Sequence, residues 1–427
     1  MAPTMESNEG LRNYRDLSSV QRWVESSDFG RKGGKGVAKY IRWASIDMEE
    51  IAYAPDEGAE SEHGDRADWI SSQDRPPVHP SHLERLKRIL AETDRDAEVL
   101  ELVDECPSEE EWDVLGQHFR NVRWLLVETG FNESWIDRGF PLGWPLDLLV
   151  VSSACGELVT TPAILEGRIS HLVLLLTCNL RFEGPGNPEL DTSEELCNEA
   201  EAQLNENKTG ITIMYRPSRV YKWLAHKYSG LRQWPDPGWE DRPVSRLKTL
   251  EILENDAFDT FQRLAMAHSH LIMGLEKLNL RSMHGEDFAL TPEDLFPQFF
   301  PAMTNLKHLE LSLSHQFNND TILPNLYRCL PPNLESLSFR GPPSLAGSGQ
   351  FDEWIAAFGN PALLPSLKRL SFALDAAGTE AKLSELAWAT RSANRLLARA
   401  SARGVVVEQL RDPWYEVSFF RRYDQRS

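Results

Sequence analysis

The side chains that could build a metal centre or activate a nucleophile are eleven histidines and five cysteines, and their spacing argues against both. His268 and His270 stand two residues apart. That puts their imidazoles on opposite faces of a strand or about 200° apart on a helix, and no H-E-x-x-H phrase accompanies them. Cys106, Cys155, Cys178, Cys197 and Cys329 are widely separated, form no C-x-x-C pair and carry no family signature with a nearby histidine. The run Gly30-Arg-Lys-Gly-Gly-Lys-Gly36 has the composition of a phosphate loop. Its spacing is one residue short, however, and Gly36 stands where the metal-binding hydroxyl belongs, so it reads as a flexible turn. No G-x-S-x-G elbow occurs, and Gly341 to Gly349 is a Pro/Gly loop. The acidic runs Glu49-Glu50 and Glu109-Glu110-Glu111 lie among polar residues, where nothing would raise a carboxyl pKa. A non-enzymatic chain with no catalytic residues, metal or cofactor is therefore expected. An enzyme would need a polar cluster buried in a pocket.

The elements that would position any site are announced by one phrase written five times: Leu247-x-x-Leu250-x-Ile252, Leu275-x-x-Leu278-x-Leu280, Leu306-x-x-Leu309-x-Leu311, Leu334-x-x-Leu337-x-Phe339 and Leu367-x-x-Leu370-x-Phe372. The central positions 250, 278, 309, 337 and 370 give steps of 28, 31, 28 and 33 residues. A phrase of this form at such a period is the mark of a leucine-rich-repeat solenoid. In each copy the Leu-x-Leu alternation places two apolar side chains on one face of a short strand. Parallel strands need a crossover of a dozen or more residues, and the period leaves room for one. Three buried leucines do not offset the ordering of a whole repeat, so the copies must stack to be stable.

The residues between the leucines point to the other face, and nearly all are polar. Lys277, Asn279, Arg281, His308, Glu310, Ser336, Ser338, Arg340 and Arg369 are the candidate partner-binding residues. Arg281, Arg340 and Arg369 lead, because arginine is enriched in binding hot spots. They would form a basic stripe on an acidic protein and so select a partner with an acidic surface.

Four regions follow from the pattern. Residues 1–36 are an arm with one short helix. Residues 37–245 hold irregular, divergent repeats, beginning with a strand at 40–46 and interrupted by insertions at 54–80 and 183–210. Residues 246–378 are the regular repeats, and 379–427 cap the end with a long helix stopped at Gly404, a last strand at Val405–Val407 and an aromatic tail. Ser81-x-x-Glu84 and Ser108-x-x-Glu111 read as capping boxes. Thr291-Pro-Glu-Asp294 marks a crossover-helix start. Val122-x-x-Leu125-x-Val127 and Ile169-x-x-Leu172-x-Leu174 are divergent copies. The stretch His171 to Leu176 is apolar on both faces and needs covering on both; the 183–210 segment is either that cover or a surface excursion. Trp223, Trp234 and Trp239 are read as packing plugs among prolines or as a partner anchor.

Composition bounds the partners. A formal charge of −20, from 45 basic and 65 acidic residues, disfavours non-specific binding to nucleic acid or an anionic membrane. No run approaches 18 apolar residues, and Met1 to Gly10 lacks the apolar core of a signal peptide. Unpaired cysteines fit a reducing compartment, cytoplasmic or nuclear.

The five copies, the Arg403-Gly-Val-Val-Val407 ending and Pro413-Trp414 resemble the leucine-rich-repeat portions of filamentous-fungal F-box-like proteins. The resemblance covers about 250–400 and, more loosely, 120–410. It implies a curved α/β solenoid of the ribonuclease-inhibitor kind: a parallel sheet on the concave side, helical crossovers, irregular N-terminal repeats and a helical C-terminal cap. It also implies substrate recognition for a ubiquitin ligase of Skp and cullin subunits. Residues 1–50 hold no Leu-Pro-x-Glu phrase of an F-box, so what carries over is a repeat surface that grips another macromolecule.

Overall fold

In the computed structural model, the residues described are 43–47, 80–104, 107–129, 141, 143–152, 164, 168–175, 245–254, 257, 258, 261, 264, 265, 269–282, 297, 299–313, 323–374 and 383–410. By contacts the chain forms two units. One runs from Trp43 to Glu408. The other joins 1–42 with 409–427 and, apart from Gln409 and Leu410, lies outside the described residues, as do the N-terminal arm and the aromatic tail.

The larger unit is α/β. Its strands are β1 (Trp43–Asp47), β2 (Val99–Asp104), β3 (Trp124–Thr129), β4 (Leu148–Ser152), β5 (His171–Leu175), β6 (Thr249–Glu254), β7 (Lys277–Ser282), β8 (His308–Ser312), β9 (Ser336–Arg340), β10 (Arg369–Ala373) and β11 (Val406–Val407). They form one open sheet in strict chain order, every neighbouring pair parallel. The five copies of the leucine phrase are β6 to β10, lying side by side in the order read from the sequence.

The register aligns the leucines. One row runs from Ala44 through Leu100, Leu125, Leu149, Leu172, Leu250, Leu278, Leu309 and Leu337 to Leu370. A second runs two residues further along, from Ile46 to Phe372. No side chain in either row is more than 5% exposed, so the layers form one continuous apolar spine. At the start of each strand from β3 to β10 two consecutive amides donate to a single carbonyl of the preceding repeat. Glu276 and Lys277 both donate to Lys248 O, and Lys307 and His308 both donate to Glu276 O. The same bifurcated pair occurs at Arg123 and Trp124 on Glu98 O, and at Ser170 and His171 on Asp147 O. The early, irregular strands therefore obey the same rule as the regular ones.

The helices are α1 (Pro80–Ala91), α2 (Glu109–His118), α3 (Ser269–Met273), α4 (Ser344–Gly347), α5 (Phe351–Gly359) and α6 (Leu383–Ala402), with 3-10 turns at Phe300–Ala302 and Leu323–Arg328. Leu86, Trp112, Leu115, Trp354 and Phe358 join the same core as the leucine rows, so the helices cover that face of the sheet. The capping box at Ser108 forms as read: its hydroxyl accepts from the Glu111 amide, and the Glu111 carboxylate accepts from the Ser108 amide. Ser81 falls within the range of α1, Pro80–Ala91, and its side chain lies outside the described residues. Helix α6 lays Ala389, Ala393, Leu396 and Ala400 on the core. It ends where Gly404 takes φ +95°, a conformation glycine adopts without strain. The segment Thr291 to Asp294, residues 379–382, the Trp-Pro stretch 216–244 and most of 54–80 lie outside the described residues.

Two strands, β2 and β4, were not read from the sequence. Their phrases are Ala97-x-x-Leu100-x-Leu102 and Leu146-x-x-Leu149-x-Val151, with the same positions buried. Among the described residues no helix is long and apolar enough to cross a membrane.

Candidate interaction face of the sheet

Opposite the leucine spine, every strand presents alternate residues to the other side of the sheet, and this face divides in two. Over β2 to β6 it is largely apolar and buried: Val99, Leu126, Leu148, Val150, Val173 and Leu253 are at most 7% exposed and stand outside the main core cluster, and Glu101 is buried among them. This is what the doubly apolar β5 required. The segment 183–210, read as its cover, lies outside the described residues.

A buried polar cluster marks the border. His171 on β5, Glu251 on β6 and Asn279 on β7 are each no more than 6% exposed. The His171 Nε2 donates to Glu251 Oε1 at 2.8 Å, and the Asn279 amide donates to Glu251 Oε2 at 3.1 Å. Lys277 brings its ammonium to 4.0 Å from Oε1. Burial alone would raise the Glu251 carboxyl pKa. The Lys277 charge, the His171 hydrogen bond and charge, and the Asn279 amide outweigh it and hold the group below the ordinary carboxylate range. The cluster thus satisfies a charge that would be costly to bury alone.

Beyond the border, across β7 to β10, the face turns polar and accessible. The register sorts the candidate residues into three rows. At the strand starts stand Lys277, His308, Ser336 and Arg369; in the middle Asn279, Glu310, Ser338 and Ser371; at the far ends Arg281, Ser312, Arg340 and Ala373. His308, Glu310, Ser336, Ser338, Arg281 and Arg340 are half-buried, and Arg369 is exposed.

Two expectations change. Asn279 is not a contact residue: it is buried, and its amide is spent on Glu251. The three arginines do not make one stripe. Arg281 and Arg340 share a row, whereas Arg369 sits four residues earlier along the strand direction, roughly 13 Å away in that direction at 3.3 Å per residue. Arg369 instead extends the basic row of Lys277 and His308. Alternation puts Ser312 on this face as well, outside the nine candidate contact residues, and no local pattern connects His171 with Glu251.

Along the start edge of the strands runs a second polar feature. Lys248, Glu276, Lys307, Glu335 and Lys368 alternate in charge from repeat to repeat. Lys307 pairs with Glu276 at 3.1 Å, Lys248 with Glu276 at 3.6 Å and Lys368 with Glu335 at 2.6 Å. Hydrogen bonding from Lys307 is the largest influence on Glu276 and that from Lys368 on Glu335, and both carboxyls are lowered in pKa. Asn305 and Asn333 reach back to Met273 O and Thr304 O, tying each repeat to the one before. Lys248, Glu276, Asn305, Lys307, Asn333 and Glu335 line a shallow groove of about 330 Å³. Its charges are matched internally, which suits a seam between repeats.

Among the described residues no group of three or more His, Cys, Asp or Glu is placed to hold a metal ion. A scan against protein-family models found no match for this chain, and a search of curated proteins found none either.

Proposed function

We propose that this chain is a leucine-rich-repeat solenoid that works without catalysis as a protein-interaction module, with the uncovered sheet face of β7 to β10 as its gripping surface. One observation carries the reading. On the same side of one continuous sheet, β2 to β5 present mostly apolar, mostly buried side chains, with Glu101 and His171 buried among them, while β7 to β10 present charged and hydroxylated ones most of which remain accessible, Asn279 and Ser371 being the buried exceptions. A face held open and polar beside a covered one is what a binding surface needs.

Its charge names the partner's sign. Among the described outward residues of β7 to β10, Arg281, Arg340 and Arg369 stand with one accessible carboxylate, Glu310, while Lys277 lies 4.0 Å from the buried Glu251. On a chain of net charge −20, such a local excess of cations favours a protein with an acidic surface and steers its approach. Five widely spaced cysteines without a C-x-x-C pair support a reducing setting, cytoplasmic or nuclear; among the described residues Cys329 is free and half-buried, and burial raises its thiol pKa, which suits a packing residue. The ligase role implied by the resemblance would need a docking box within residues 1–50, of which 43–47 are described and form β1.

The test is affinity purification with mass spectrometry from the native source, comparing wild type with the triple variant Arg281→Glu, Arg340→Glu, Arg369→Glu. These side chains lie off the leucine spine, so the melting curve should be preserved. Loss of the captured partners is expected; an unchanged set would sink the proposal. Skp and cullin subunits among the captured proteins would add the ligase role.

A further inference from the structure

The far row of the open face carries a more specific recognition chemistry. The register sets Arg281 beside Ser312, and Ser312 beside Arg340. The two arginines are therefore two strand spacings apart, roughly 9 to 10 Å at 4.7–4.9 Å per strand, with a hydroxyl midway between them. All three are half-buried. The row is bounded by Leu253 on β6, fully buried, and by Ala373 on β10. The row thus ends in small or apolar neighbours on both sides, with the serine between the two arginines.

A carboxylate presents two oxygens in one plane, and one guanidinium fork satisfies it. Two forks with a hydroxyl between them match a group with three acceptor oxygens and nearly two negative charges. Each guanidinium carries five N–H donors, more than one internal contact can use. We propose that Arg281, Ser312 and Arg340 form a phosphoryl-binding row that captures a phosphoserine or phosphothreonine in an extended segment of the partner protein.

The rest of the face selects a peptide. The outward residues of β7 to β10 include no Phe, Tyr or Trp on which a base could stack. The overall charge of −20 opposes a polyanion or an anionic bilayer. Glu310 stands two residues before Ser312 on β8, roughly 6 to 7 Å away along the strand. That places an acid where it would repel a second phosphate and pair with a basic residue close to the phosphorylated one.

This inference rests on the interaction-face reading and narrows it. The test is retention of the full-length protein on degenerate peptide arrays centred on phosphoserine or phosphothreonine, beside the same peptides carrying Ser, Thr or Asp at the centre. The phosphorylated set should retain wild type at least about tenfold better, the size of one lost charge-assisted contact. The double variant Arg281→Ala, Arg340→Ala should lose that preference, Ser312→Ala should weaken it, and Arg369→Ala should keep it. The double variant Arg281→Lys, Arg340→Lys keeps the charge and removes the forks, so it should lose most of the preference while its melting curve stays that of wild type. Equal retention of all sets, no retention of any, or a preference that survives both double variants would overturn the inference. Partners lost from the triple charge-reversal variant yet captured equally by wild type after phosphatase treatment would overturn it too, while leaving the interaction face standing.

Discussion

The imidazole of His171 and the carboxylate of Glu251 meet at 2.8 Å across the boundary between β5 and β6, although 80 residues separate them in the chain. A carboxylate only accepts, so Nε2 of His171 carries the hydrogen of this bond. The pair lies where the covered half of the face gives way to the open half. Glu251 takes donors from both sides, His171 on β5 and Asn279 on β7, which ties three strands together through one side chain.

Removing the acceptor should therefore cost more than one hydrogen bond. Glu251→Ala leaves the buried donors of His171 and Asn279 facing a void, with a loss of about 3–5 kcal/mol, as for a buried pair broken from one side. Urea unfolding at neutral pH measures it; a loss under about 1 kcal/mol would mean that the cluster relaxes freely.

The same group sets a pH dependence whose sign follows from its direction. The folded-state pKa of Glu251 is depressed below the ordinary value of 4.5. Its stabilising contribution is then fully present above that value and is lost as pH falls from there toward the folded-state pKa. Wild type should lose stability between pH 5 and about 3.5 more steeply than Glu251→Gln. Parallel unfolding curves for the two proteins over this window would contradict the assignment.

How far the fold was legible depended on which faces were buried. Strands β7 to β10 face polar surroundings on one side, and β6 keeps the polar Thr249 and Glu251 there, so alternation survives in their sequence and the leucine phrase stands out. In β4, Leu148, Leu149, Val150 and Val151 are all buried, alternation has no reason to exist, and the repeat is hidden. In β2 a small Ala97 stands in the first apolar position, where the phrase expects leucine. The site shows the same limit. Alternation placed nine candidate residues on one face, but the burial of Asn279 depends on Glu251 and His171 from neighbouring strands. Likewise Arg369 looks equivalent to Arg281 and Arg340 until the register puts it in another row.

The last regular layers are held by rings more than by leucines. Phe339 stacks on Phe372 with centroids 4.9 Å apart and 14° between planes, and Trp354 lies 5.5 Å from the Phe339 ring. Gly341 has no side chain because a Cβ there would stand 2.7 Å from that ring. Phe339→Ala should cost about 3–5 kcal/mol, whereas its neighbour Ser338→Ala, on the open face, should stay within about 0.5 kcal/mol. Similar losses for the two would show that the spine and the face are not separate.

Arg403 closes the turn after α5. Its Nη1 donates to Asn360 O at 2.5 Å and to Leu363 O at 2.7 Å, and Nη2 reaches Leu364 O at 3.3 Å. Burial lowers its pKa, yet a guanidinium stays charged. Arg403→Ala should cost about 1–3 kcal/mol, and Arg403→Lys should recover little, since one ammonium cannot span three carbonyls. Hydrogen exchange across 360–368 and the end of α6 should quicken in both variants; protection equal to wild type in the lysine variant would reduce the role to charge.

The division of the face into a covered and an open half makes the sharpest demand. Val173 occupies the middle row on β5, fully buried, beside Glu251; Ser338 occupies the same row three strands beyond Glu251 and is half-exposed. An aspartate at 173 would be a second buried carboxylate next to the first, without a donor of its own. Val173→Asp should therefore cost about 3–5 kcal/mol or prevent folding. Ser338→Asp sets a charge beside Glu310 in solvent, where a like-charge neighbour across the strand costs under about 1 kcal/mol. Paired denaturant curves decide the matter. If the protein tolerates both substitutions equally, β5 is accessible too, and the gripping surface reaches well past β7.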